Sequence, residues 1–149
     1  MNANTEVTVG DRELTITRIF DAPRSLVFEA WSEPKHLMRW FAPNNFTVPS
    51  CEMDFRGGGI FRLCMRAFGK DHWMNGVFRE IVKPERIVWT AMLEHDNNEV
   101  MTTVTFTVVG GKTRLTAHQT YSIETDSTRG APQGWTETLD HLAEYLADA

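Results

Sequence analysis

Cys51-Glu52-Met53-Asp54-Phe55-Arg56-Gly57-Gly58-Gly59-Ile60-Phe61-Arg62-Leu63-Cys64-Met65 is the stretch that decides the fold. Apolar residues alternate with polar ones on both sides of a glycine run, the period-2 pattern of a half-buried β-hairpin. A three-residue loop at Gly57–Gly59 predicts Phe55 opposite Phe61, Met53 opposite Leu63 and Cys51 opposite Met65. The other face would then set Asp54 against Arg62, an opposite-charge cross-strand pair. A two-residue loop would instead set Asp54 against Phe61 and Glu52 against Leu63. A slip of one residue turns a strand over, so the hydrophobic pattern selects the register and favours the longer loop.

Outward from this hairpin the alternation continues as an antiparallel meander. Gly69-Lys70 reads as the next turn, opposing Met65 with Met74, Leu63 with Gly76 and Phe61 with Phe78. Lys83–Arg86 turns the chain again and brings Ile87, Trp89, Ala91 and Leu93 inward. A polar loop over His95–Glu99 leads to the last hairpin, whose Gly110-Gly111 pair is a strong two-residue turn signal. It predicts Phe106 opposite Leu115, Val104 opposite Ala117, Thr102 opposite Gln119 and Val100 opposite Tyr121.

Before the meander, Glu13–Phe20 reads as a strand rich in β-branched residues. Residues 1–12 form a polar tail or an added strand. Asp21 or Ser25 could cap a helix carrying Val27, Phe28 and Trp31. A second short helix, with Pro34 in its first turn, would run through Leu37, Met38, Trp40 and Phe41 until Pro43. After the meander, Arg129-Gly130-Ala131-Pro132 is expected to begin a final helix. Its Trp135, Leu139, Leu142 and Leu146 recur as one apolar stripe.

With 149 residues and no linker or repeat, the chain reads as one domain over 1–149, able to bury roughly two-thirds of its unfolded surface. A net charge of −5 argues against a general nucleic-acid or anionic-membrane binder, because both need a basic face. No apolar run approaches the ~20 residues of a membrane span, and Met1–Gly10 lacks a signal-peptide pattern. A cytoplasmic location is therefore expected, with Cys51 and Cys64 as free thiols. The histidines at 36, 72, 95, 118 and 141 show no metal-ligand spacing. Gly57–Gly59 leads into a strand, which is unlike a phosphate cradle, and there is no nucleophile elbow. Neither a metal nor a cofactor is expected.

One strand, two short helices, six further antiparallel strands and a long amphipathic helix make an α+β plan of about seven strands. The run Ala22-Pro23 through Val27-Phe28-Glu29-Ala30-Trp31, Glu33-Pro34 and Leu37-Met38-Arg39-Trp40-Phe41 resembles the opening of the START-like (SRPBCC) superfamily. More narrowly it resembles the branch related to activators of the heat-shock chaperone ATPase. Asp54–Gly58, Gly76–Ile81, Pro84–Thr90 and Gly134-Trp135 through Leu142 extend the likeness over about residues 13 to 147. The resemblance implies a helix-grip fold, in which a cup-shaped sheet is covered by its C-terminal helix around a pocket for an apolar or lipid-like molecule. It does not imply the chaperone activator's own activity, since a fold hosts many functions, although a role in stress response is expected of that branch.

The parity of the strands and the helix phase bring Met53, Phe61, Met65, Met74, Phe78, Trp89, Trp135 and Leu139 to the inner face. A packed core would account for each singly. As a set, methionines and aromatic rings favour an irregular cavity. Gly76 in mid-strand marks a bend or a close approach by a ligand. Glu80 falls inward by parity, opposite Trp89, unless a bulge before Ile81 turns it out. Thr102, Gln119 and Tyr121 form the other inward polar group. These residues point to a binder of a small apolar or amphipathic molecule, acting as carrier, sequestering protein or sensor. A cyclase, dehydratase or hydrolase using Glu80, Gln119 or Tyr121 stays open, as do a chaperone-interacting module and a homodimer.

Overall fold

Strong alternation over residues 13–20 and 47–121 produces strands, and the chain has enough of them to build one sheet. The computed structural model describes residues 5–148. Its elements are β1 (Thr5–Gly10), β2 (Glu13–Phe20), α1 (Arg24–Ser32), α2 (Pro34–Leu37), β3 (Thr47–Met53) and β4 (Ile60–Ala67). β5 (Lys70–Val82), β6 (Arg86–Leu93), β7 (Glu99–Val109), β8 (Lys112–Tyr121) and α3 (Asp126–Ala147) follow. The eight strands form one antiparallel sheet in the order β1-β2-β8-β7-β6-β5-β4-β3. The sheet curves around α3 and leaves both edges open, which is the helix-grip arrangement. Thr5–Gly10 supplies the eighth strand; residues 1–4 lie outside the described residues.

The β7–β8 hairpin has the expected register throughout, from Val100 opposite Tyr121 to Phe106 opposite Leu115. Gly110 and Gly111 both have positive φ (53° and 82°), the conformation that a two-residue turn matching strand twist requires. Two other hairpins keep the expected parity but are displaced by two residues. In β3–β4, Met53 faces Phe61, Cys51 faces Leu63 and Glu52 faces Arg62. The loop therefore runs over six residues, 54 to 59, and the expected Asp54–Arg62 pair does not form. Asp54 bonds Arg56 (2.7 Å) instead, while Arg62 reaches Glu94 (3.1 Å). The longer loop is held by β5: Gly58 donates to the Phe78 carbonyl and Phe78 to that of Gly59. In β4–β5, Leu63 faces Met74, Phe61 faces Gly76 and Met65 faces His72, because the turn is Phe68-Gly69 rather than Gly69-Lys70.

Glu80 leaves the inward position that parity gives it, as the bulge alternative has it. A bulge between Phe78 and Glu80 sets Glu80 opposite Val88 and turns it outward, where Arg86 Nε donates to its carboxylate at 2.7 Å. The helices also differ in their limits. Pro23 occupies the N-cap of α1 without a side-chain cap, so neither Asp21 nor Ser25 serves. The second helix stops at Leu37 and continues only as turns. α3 begins at Asp126, a turn earlier than expected, and Pro132 sits inside it. Thr125 and Thr128 form a capping box that fixes this earlier start.

Candidate ligand-binding site

The concave face of the sheet meets α3 through an aromatic cluster. Trp31 of α1 contacts Trp40 (4.8 Å between centroids), Trp89 (5.9 Å) and Phe106 (6.1 Å), and stacks at 22° on Trp135 (6.3 Å). Rigid rings of this size pack edge to face and leave gaps that shorter side chains must fill. Towards β3 the gap is almost closed. A void of about 30 Å³ remains there between Met53, Phe61, Phe78, Trp89 and their neighbours.

Towards the start of α3 the gap opens into a cavity of about 180 Å³. Its sheet wall is Met65, Met74, Trp89, Ala91, Leu93 and Val100, and its helix wall is Ala131, Gly134 and Trp135. Phe41-Ala42-Pro43, after α2, closes one side. Polar groups gather at two places. Thr102 and Gln119 are cross-strand partners, and Gln119 Nε2 donates to Thr102 Oγ1 at 2.9 Å. At the other place are Asp96, Asn98, Ser127 and Thr128, contributed by the β6–β7 loop and the first turn of α3. Thr125 Oγ1 donates to Asp96 there (2.9 Å), tying loop to helix.

Of the residues expected at the site, Met65, Met74, Trp89, Thr102, Gln119 and Trp135 meet around this cavity. Met53, Phe61 and Phe78 lie deeper, on the small void. Leu139 is fully buried and Tyr121 half-buried, and neither lines either space. Gly76 is filled by a neighbour: a Cβ there would collide with the Phe61 ring and lie 2.7 Å from the Thr90 carbonyl oxygen. Glu80 is on the opposite side of the sheet. Sequence reasoning missed Asp96, Asn98 and the helix residues 127, 128, 131, 134 and 138. Residues 131, 134 and 138 follow one another at steps of three and four within the expected helix, and 127 and 128 extend that face backwards, a signal hidden by placing the helix start too late.

A larger depression, about 570 Å³, lies on the outward face of β4–β6, among charged groups such as Arg62, Arg79, Glu94 and Glu99. Its lining carries both arginines and glutamates, whereas Asp96 is the one charged residue among the described residues that line the inner cavity. One group of metal-ligating types occurs among the described residues: Glu29, Glu33 and His36, with atoms within 4.8 Å of one another. Both carboxylates are exposed, and none of the three lines the cavity. His36 Nδ1 lies 2.6 Å from the Tyr145 hydroxyl, so the group links α1 and α2 to α3.

A curved antiparallel sheet closed by one long C-terminal helix over an apolar cavity defines a START-like, helix-grip protein. Residues 21–147 match the family described as Activator of Hsp90 ATPase homolog 1-like protein, and the chain belongs to that family. A structure from Chromobacterium violaceum is similar at 25% identity and TM-score 0.82, over 91% of this chain and 96% of that one. An uncharacterised protein from Rhizobium leguminosarum is 29% identical, TM-score 0.76, with 97% of each chain covered. A protein from Rhodobacter sphaeroides shares the fold at TM-score 0.86 and 21% identity, over 98% of this chain and 99% of that one. No curated protein matches the chain.

Proposed function

We propose that this protein binds one small, mainly apolar molecule in the 180 Å³ cavity, in a carrier, sequestering or sensing role. The observation that carries this reading is the cavity's composition. Methionine, tryptophan, leucine, valine and alanine form the walls, and a few polar groups gather at defined places, the pattern that gives affinity and orientation respectively. Met74, Trp89 and Phe41 separate the cavity from the deeper void, and a methionine in that partition can adapt to ligands of different outline. Binding is favoured over catalysis because the candidate carboxylate for a general acid or base, Glu80, is outside and paired with Arg86. Among the described residues, Asp96 is the only carboxylate on the cavity.

Gly134 supplies the test. It lines the cavity, and a Cβ built on it meets nothing within 4 Å. Gly134→Leu should fill the space while raising helix propensity by up to ~1 kcal/mol. Wild-type protein should bind apolar probes such as toluene or a naphthalene dye by calorimetry or NMR. The variant should fold at least as well and bind them weakly or not at all. Equal binding by both would refute the site.

A further inference from the structure

We infer that the cavity selects a ligand about one ring in size that is uncharged and carries a hydrogen-bond donor, and that it rejects anionic amphiphiles; this rests on the cavity being the binding site. Three independent observations converge on it. The first is size. A cavity of roughly 150 Å³ accepts benzene in an unrelated protein, so about 180 Å³ admits a single ring with a short substituent but not an extended acyl chain.

The second is charge. Asp96 lines the cavity, and among the described lining residues there is no Lys, Arg or His. A carboxylate or sulfate entering there would lose water, gain no cation and approach an existing negative charge.

The third is Asn98. Only 2% of this residue is exposed. Its Nδ2 donates to the Ile123 carbonyl at 2.8 Å, which fixes the amide orientation, because the reverse would set two oxygens together. Its Oδ1 is buried and, among the described residues, has no donor. A buried acceptor without a partner is unfavourable, and a donor brought by the ligand relieves it. At the Thr102–Gln119 pair, Gln119 Nε2 donates to Thr102, which leaves the Gln119 carbonyl oxygen as an acceptor and the Thr102 hydroxyl proton as a donor. Thr128 and Thr138 direct their own hydroxyl protons to backbone carbonyls. Among the described lining residues, the buried side-chain atom left without a partner is thus an acceptor.

Three probes separate these elements: benzyl alcohol, benzyl methyl ether and benzoate, titrated into 15N-labelled full-length protein. The Asn98 side-chain amide and the Trp135 indole signals serve as reporters. Benzyl alcohol should bind roughly fivefold or more tightly than its methyl ether, the ratio expected for one net hydrogen bond. It should move both reporters, and benzoate should move neither. Asn98→Leu should abolish the alcohol's advantage and keep the ether's affinity; if that variant does not fold, the wild-type ratio alone decides. An ether that binds as well as the alcohol overturns the donor assignment while leaving the cavity as the site. Benzoate binding like the alcohol overturns the charge selection. If no probe moves either reporter, the cavity reading fails and this inference with it.

Discussion

At Gly76 the place of a side chain is taken by the Phe61 ring from the neighbouring strand. Gly76→Ala should therefore force the ring or the strand to move, at about 1–3 kcal/mol. Thermal unfolding should report the loss, with little change in probe affinity, since Gly76 does not line the cavity. A variant as stable as wild type would show that the ring can move freely. The sequence marks Gly76 as special, but bend, ligand approach and packing all use the same glycine. Only the register, with Phe61 rather than Leu63 opposite, separates them. Glu80 was ambiguous for a similar reason: a bulge adds one residue, and no residue type around Phe78–Ile81 announces it. Cys51 makes a different prediction. Burial, assisted by the Glu52 carboxylate, pushes its thiol up to about 11 from an ordinary 9.0. The folded state thus favours the protonated thiol. Its contribution to stability is complete below pH 9 and is lost as pH rises through 11. Wild type should lose more stability than Cys51→Ala between those values in urea unfolding, and react slowly with thiol reagents at pH 8. Equal losses would remove Cys51 as the cause.

Among the elements, α3 carries the most consequence for the cavity, because it forms one wall and its first turn holds a polar end. Thr125 caps it and also bonds Asp96 of the β6–β7 loop. Thr125→Ala should cost ~0.5–2 kcal/mol and loosen the loop, measurable as faster amide exchange at residues 96–98. Unchanged exchange there would mean the loop stands without the cap. Arg18 of β2 ties the helix from its other half. Its side chain is 8% exposed and bonds Asp140, while its Nε has no partner among the described residues. Asp140→Ala should destabilise by on the order of 2 kcal/mol, because a buried guanidinium loses its counter-charge. Denaturant unfolding would measure it, and a neutral result would mean water replaces the carboxylate. The stripe Trp135-Leu139-Leu142-Leu146 was legible because helical periodicity is local. The helix start was not, because Gly130 and Pro132 read as breakers and the Thr125–Thr128 box needs no acidic or amide residue. That error concealed Asn98's surroundings, since loop and helix meet only in the folded chain.

For the molecule as a whole, alternation and turn glycines suffice to show a meander and its inner face, and parity survived both two-residue register displacements. The cavity's apolar wall was therefore readable, whereas its polar end depends on packing between segments about 30 residues apart. A larger separation governs β2. Its partners are β1, next to it in the chain, and β8, which pairs Leu14 with Gln119 and Phe20 with Thr113. Every other pairing in the sheet joins consecutive strands. During synthesis the strands from β3 onward can add one to the next as they emerge. The β1–β2 hairpin, made before them, must wait about a hundred residues for the neighbour that covers its edge. Such distant closure is slow, and it leaves Leu14, Ile16 and Phe20 uncovered in the interval. Pulse-labelled hydrogen exchange during refolding should show amides of residues 14–20 protected no earlier than those of 113–119; early protection of 14–20 would contradict this. A strand made before the meander is thus among the last to be secured, and a ribosome stalled before β8 would present it to whatever holds nascent chains.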